Sequence, residues 1–338
     1  MCRKNKSNTL IFFLYLISVF SITEIFAKKL NIPNPNFTYF TIAAGPASGS
    51  YFSIASSMAG LLSSPPGSPP CERGGSCGVK DLIALAHATE GSLYNVDLLK
   101  ERKVDTALIQ SDLMIHQKNI KTIATLYPEV LHIVVLQDSP IYKFADLKGK
   151  MISIGTRHSG TLPSVRNILN ILGLAEKDYV QSYDDPGKAC DFLLEGKVDV
   201  MLFFAGAPVS CIVNLAKNIP LRFINISPEE EKKIALKNKM FRPYDIEAGL
   251  YWNIGKIRSL SVMAQWVVPE NTSAELVYNL AKAFWLPQNQ NKLQLQFPKI
   301  NFLSADQSAA FETGSLHKGA LTFYEEMGFF PKKKKEIK

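Results

Sequence analysis

The sequence predicts an α/β protein built as two lobes. Short apolar runs alternate with amphipathic ones along most of the 338 residues, the pattern of strands alternating with helices in mostly parallel sheets. The pattern starts again after Asp138-Ser139-Pro140. One device recurs: a strand, a loop of small polar residues, then a helix start, at 45–51, 89–95 and 155–161. The length suits about two domains, and 46% hydrophobic with 20% charged residues is ordinary for a globular chain.

The first segment stands apart. Arg3, Lys4 and Lys6 precede the apolar run Leu10–Phe20, and Ile25-Phe26-Ala27 ends in a small residue. That is the layout of a secretory signal peptide over 1–27, too short for a comfortable membrane span. Net charge is +8; removing 1–27 leaves +6, and the tail 331–338 holds +4 of that, so the body is near +2. A body so nearly neutral argues against a nucleic-acid partner, and the lysine tail reads as a solvated end.

Thr38–Ala44 reads as the first strand and Tyr51–Leu62 as its helix, with Ile54, Met58, Leu61 and Leu62 on one face. Small residues at Gly45–Ser50 let a ligand approach the backbone. The helix start behind them offers unpaired N–H groups and the positive end of a dipole to a carboxylate or phosphate. A capped turn with Ser48 or Ser50 as N-cap accounts for the same residues. Segment 63–78 is rich in Ser, Pro and Gly and reads as a loop. Leu82–Ala88 is a strand, Leu93–Lys100 a helix and Thr106–Ile109 a strand; a helix begins at Met114–Lys118. Thr122–Leu126 and Leu131–Leu136 are apolar runs divided by Tyr127-Pro128-Glu129.

In the second half, Phe144–Lys150 reads as a short helix and turn and Met151–Gly155 as a strand. Val165, Ile168, Leu169 and Leu172 mark a helix face closed by Gly173. A helix at Gly187–Leu194, a strand at Val198–Phe204, a helix to Ala216, a strand at Leu221–Ile226 and a charged helix at Pro228–Lys237 follow. A third section holds a strand at Ser259–Val268 and helices at Ser273–Leu286 and Ser315–Met327.

Cleavage after Ala27 leaves Cys71, Cys77, Cys190 and Cys211. In an oxidising compartment Cys71 and Cys77, six residues apart in a Gly-rich loop, form a local disulfide. Spacing leaves open whether Cys190 and Cys211 pair. No metal-site spacing joins the five histidines, no phosphate-cradling G-x-x-x-x-G-K-[ST] loop is present, and Gly45-x-x-Ser48-Gly49 misses the nucleophile-elbow spacing. Asp184-Asp185 before Pro186 reads as turn chemistry. The residues therefore point to binding rather than catalysis, with no cofactor and no metal.

Several motifs, in order along the chain, carry a resemblance. They are Gly45–Tyr51 with Phe52, Glu90-Gly91-Ser92 with Asn95, Val104–Asp112, Leu126-Tyr127-Pro128-Glu129 and Asp146–Lys150. Gly155, Ser159-Gly160-Thr161, Leu172-Gly173-Leu174, Gly196–Val200, Gly206, Pro208, Gly249, Tyr251 and Leu316–Ala320 continue them. The chain resembles the TAXI-type solute receptors, extracytoplasmic binding proteins of a subclass of TRAP transporters; some members are immunogenic surface antigens. The resemblance implies a type II periplasmic-binding-protein-like fold, with lobe I at 37–136 plus 250–330 and lobe II at 137–249, hinged around a central cleft. It implies a periplasmic monomer that closes on a small anionic solute, a glutamate-like amino acid or dicarboxylate, and delivers it to a TRAP membrane permease. The ligand contacts it implies are Ser48, Gly49 and Tyr51 in the first loop, Ser92 and Asn95 in the second, and Gln110 and Ser111 at a strand end. Ser159, Gly160 and Thr161 in lobe II, Gly206, and Tyr251 complete them. Arg157 and His158 depart from the family's small residues before Ser159-Gly160; Arg157 is the candidate for bidentate pairing with a carboxylate.

Overall fold

The computed structural model describes residues 37–311 and 316–330. The predicted signal peptide 1–27, residues 28–36 and the basic tail 331–338 lie outside the described residues.

The chain begins with β1 (Thr38–Ala43) and α1 (Ser50–Leu62), whose buried face is the one the apolar spacing marks. Two-residue strands β2 (Ser63–Ser64) and β3 (Val79–Lys80) flank the loop that holds the Cys71–Cys77 disulfide. Then come β4 (Leu82–His87), α2 (Ser92–Lys100), β5 (Thr106–Gln110) and a single turn, α3 (Ser111–Met114). The helix expected from Met114 does not form: Gln117 N–H closes a turn on Met114 O as the chain reverses into β6 (Ile120–Leu136).

β6 corrects a second expectation. It is one 17-residue strand through Tyr127-Pro128-Glu129 rather than two runs. Proline cannot donate to a ladder, yet Pro128 sits opposite Met263 without leaving that residue's N–H orphaned, because Met263 N–H donates to Ser111 Oγ at 3.0 Å.

The second half supplies β7 (Met151–Ser153), α4 (Thr161–Leu172), β8 (Val180–Ser182), α5 (Pro186–Leu194), β9 (Val200–Ala205) and α6 (Ser210–Asn218). β10 (Leu221–Phe223), α7 (Pro228–Lys237) and β11 (Arg242–Ile246) lead into the long strand β12 (Ile257–Pro269). Helices α8 (Ala274–Phe284), α9 (Pro287–Gln296), α10 (Ala305–Ala310) and α11 (Lys318–Glu326) finish the described chain. α9 escapes sequence reading because only Asn289 and Leu293 are buried in it, too few to mark a period. Cys190 and Cys211 are paired, tying α5 to α6.

The strands form one path, β3-β2-β4-β1-β5-β12-β6-β9-β7-β8, with β10 and β11 attached to β6 and β12. β4-β1-β5 and β9-β7-β8 are parallel, as βα repeats require. The centre is not: β12 runs antiparallel to both β5 and β6, and β6 antiparallel to β9. The buried apolar residues divide in the same way. Two clusters draw on 40–127 and 264–330, two on 130–262. β6 and β12 are the strands that cross from one set to the other.

Candidate functional site

The loops after β1, β4 and β7 each end in a helix whose N-cap is glycine: Gly49 for α1, Gly91 for α2 and Gly160 for α4. None of the three receives an N-cap side chain. All three border one cavity of about 60 Å³, between the two sets of core clusters. That is several times the volume one water needs, given as roughly 10–15 Å³. α5 also begins there, but Asp185 caps it by accepting from Gly187 N and Lys188 N.

Glycine is required where the loops meet. Gly91 has φ +120°, and a Cβ there would stand 3.1 Å from Ser159 Cα. A Cβ on Gly160 would stand 2.0 Å from Gln110 Oε1. The two halves touch through these bare backbones.

Polar groups line the rest. Gln110 ends β5 with its backbone N–H on Ser92 Oγ at 3.1 Å, and its buried Nε2 has no partner. Thr161 Oγ1 accepts from Phe204 N at 3.2 Å, and Ser159 Oγ donates to Thr156 O at 2.8 Å. Glu129, in the middle of β6, forms part of the wall, and its Oε2 accepts from Tyr51 O–H at 2.7 Å. Burial pushes the Glu129 carboxyl up to about 8, with Asp112 adding to the rise and Tyr51 opposing it. Burial likewise raises the Tyr51 hydroxyl well above its ordinary range. Asp112 lies behind the wall, lifted to about 6 by burial, and accepts from Ser164 Oγ of α4 at 2.5 Å.

The other acidic wall residues are engaged. Glu90 accepts from His158 at 2.8 Å, Asp184 faces Lys188 at 3.4 Å, and Asp185 accepts from Ser48 Oγ at 2.6 Å. Among the described residues no Lys, Arg or His side chain lines the cavity. No group of His, Cys, Asp and Glu able to hold a metal occurs among them either.

Of the residues singled out from sequence, Gly49, Tyr51, Ser92, Gln110, Ser159, Gly160 and Thr161 line the cavity. The others do not, and each has a physical reason. Asn95 is fully buried, its amide donating to Ala44 O at 2.7 Å and Leu108 O at 2.8 Å, so it ties strands together. Ser111 is spent on Met263 N. Arg157 turns outward with its guanidinium 3.7 Å over the Tyr183 ring. Tyr251 is a core residue: its hydroxyl donates to His132 Nε2 at 2.8 Å and accepts from Val209 N at 2.9 Å. Burial lowers the His132 imidazole to about 4, so it takes the proton as a neutral acceptor. Ser48 and Gly206 border a neighbouring groove, with Gly206 N–H on Ser50 Oγ at 3.3 Å.

Sequence reasoning missed Glu129, Asp185 as a wall residue, and Phe203. Glu129 had a signal, a carboxylate interrupting the apolar run 120–136. Phe203 had none, since β9 is apolar throughout.

The alternating elements, the antiparallel crossing pair and the cavity at helix starts make this the mixed α/β fold of type II periplasmic binding proteins. XAC2383 from Xanthomonas citri, bound to ATP, is similar at TM-score 0.50 and 10% identity, over 85% of this chain and 98% of its own. Tv2483 bound to L-arginine is similar at TM-score 0.50 and 11% identity, over 78% of this chain and 93% of its own. The alkanesulfonate-binding protein SsuA from Xanthomonas axonopodis pv. citri, bound to MOPS, has TM-score 0.46 and 14% identity, over 87% and 94% of the two chains. The chain belongs to the NMT1-like family, whose model matches residues 42–328.

Proposed function

We propose that this chain is a TAXI-type receptor of a TRAP transporter, not an enzyme. It is exported to the periplasm, takes a small carboxylate-bearing solute into the cavity and hands it to a membrane permease. The observation that carries this reading is the meeting of three glycine-capped helix starts with the unpartnered amide of Gln110. Helix N-termini favour anions, and an amide N–H can only donate. With Glu129 protonated below about 8, Glu90 facing His158 and Asp184 facing Lys188, the wall carboxylate without a basic partner is Asp185, whose oxygen is turned to Ser48 and the start of α5. Tyr51, Ser92, Gln110 and Glu129 supply the contacts from one side, Ser159, Gly160 and Thr161 those from the other.

The lobes of this reading are 37–136 with 250–330 and 137–249, hinged on β6 and β12. The change of core clusters near residues 127–130 and 262–264 supports that hinge. Closure about it traps the solute, and the closed form is what the permease receives.

The four wall carboxylates favour a second reading, a solute that carries an ammonium group as well. Titration calorimetry with L-glutamate, succinate, 2-oxoglutarate, L-arginine and putrescine separates the two. Heat with all of the first three is expected. Binding of L-glutamate or L-arginine but of neither succinate nor 2-oxoglutarate would favour the second reading, and binding confined to putrescine would overturn the carboxylate reading.

A further inference from the structure

Arg157 and His158 remain unexplained by the cavity. They occupy positions where the resemblance expects small residues, and both are exposed at its rim. The rim there is assembled from both halves. His158 Nδ1 lies 2.8 Å from Glu90 Oε2. A carboxylate only accepts, so Nδ1 carries the hydrogen. Thr156 Oγ1 donates to Glu90 O at 2.9 Å, and Tyr94 N–H donates to His158 O at 3.1 Å. The Tyr94 and His158 rings stand 6.1 Å apart. Glu90 and Tyr94 flank the start of α2; Thr156 and His158 lie between β7 and α4. Arg157 is held back over Tyr183, leaving Thr156 and His158 as the side chains of this loop that reach across, with His158 the one that meets the Glu90 carboxylate. On the opposite rim the corresponding contact is Ser48 on Asp185.

We propose that His158 and Glu90 form a clasp that positions the α2 start against the 156–159 loop and raises the share of the closed form, which a solute raises further. His158 is a positioning residue: it acts on the cavity through Glu90 and through the seat of Tyr94. The clasp regulates the same cavity and so rests on its being the solute site, but its own existence can be read without solute.

The groups that join are exposed on both sides, His158 by 54% and Glu90 by 53%. The contact alone is therefore weak, and its loss should speed release by about two- to fivefold. The test uses the exported chain with spin labels at Leu236→Cys and Leu295→Cys, two exposed sites in different halves; the described native cysteines are paired and do not compete. Pulsed electron–electron distance measurement without solute is expected to give a short and a longer separation for the parent, and His158→Ala is expected to shift the ratio toward the longer one by about two- to fivefold. His158→Asn keeps a donor near the Nδ1 position and is expected to restore the parent distribution, which a general loss of packing would not allow. Glu90→Gln with His158→Ala together should shift the distribution no further than His158→Ala alone. A parent-like distribution for His158→Ala would overturn the proposal. Stopped-flow release of L-glutamate adds the rate, and failure of L-glutamate to bind counts against the solute reading while leaving the distance result to decide the clasp.

Discussion

Glu129 concentrates the chemistry of the site in one residue. Its carboxyl is forced into the wall because β6 runs through it in extended conformation, and it gains Tyr51 but no cation. The folded protein therefore holds its proton up to about 8, whereas the unfolded chain releases it near 4.5. Between those values the folded state binds more protons, so stability falls as pH rises across that window and levels above 8. Glu129→Gln should remove this slope and raise stability at pH 8 by up to about 4 kcal/mol, read from urea midpoints at several pH values. Solute binding reports the same proton. A carboxylate seated beside Glu129 binds evenly below pH 8 and more weakly above; an ammonium there binds more tightly as pH approaches 8. Calorimetry across pH 6–9 distinguishes them. Asn95 behaves differently. Asn95→Ala leaves the carbonyls of Ala44 and Leu108 without their donor and should cost about 3 kcal/mol of stability. If Asn95→Ala abolishes binding in a chain that remains as stable as the parent, its assignment as a strand tie fails.

Between elements, the decisive contact is loop against loop. α2 and α4 start with glycine because the opposite loop comes within reach of where a side chain would be: Ser159 Cα at Gly91, Gln110 Oε1 and Ser92 Oγ at Gly160; Gly49 of α1 faces only Pro46 of its own loop. Gly160→Ala would drive a methyl into Gln110 Oε1 and Ser92 Oγ. The halves must then separate or Gln110 must swing out of the wall. Solute affinity should fall by at least about tenfold, a cost of about 1.4 kcal/mol, while the melting temperature stays close to the parent's, since each half keeps its own core. Unchanged affinity in calorimetry would show that these loops do not meet in the binding form. α5 shows the contrast: its N-terminus is filled by Asp185, so it offers the cavity a carboxylate instead of free N–H groups.

Across the whole molecule, two long antiparallel strands connect two parallel wings, and two disulfides are placed unequally on that frame. Cys71–Cys77 closes a 6-residue separation in an exposed loop; Cys190–Cys211 closes 21 residues between α5 and α6. Chain entropy assigns them about 2 and about 3 kcal/mol. Replacing Cys190 and Cys211 by serine should lower the melting temperature more than replacing Cys71 and Cys77, measured by calorimetric scanning. It should also weaken solute binding, because α5 carries Pro186 and Ala189 into the wall. The reverse order would mean that the 63–78 loop contributes more than its exposure suggests.

The features legible in residue order are local. Periodicity and glycine placement were enough to locate α1, α2, α4 and the loops before them, because a helix face and a tight turn are properties of a few neighbouring residues. The resemblance to solute receptors, rather than periodicity, pointed to seven of the residues that line the cavity, all on those loops or at the end of β5. Tertiary structure decided the rest. Tyr127-Pro128-Glu129 looks like a break until Ser111 satisfies the ladder position opposite Pro128, so only the fold makes β6 continuous and sets Glu129 in the wall. Asn95 and Tyr251 have the chemistry of ligand contacts, yet backbone carbonyls and His132 take their hydrogen bonds first. The direction of Arg157 depended on Tyr183, 26 residues later in the chain. Each of these outcomes turned on partners distant in sequence, and which of them a polar side chain meets is fixed by packing rather than by spacing.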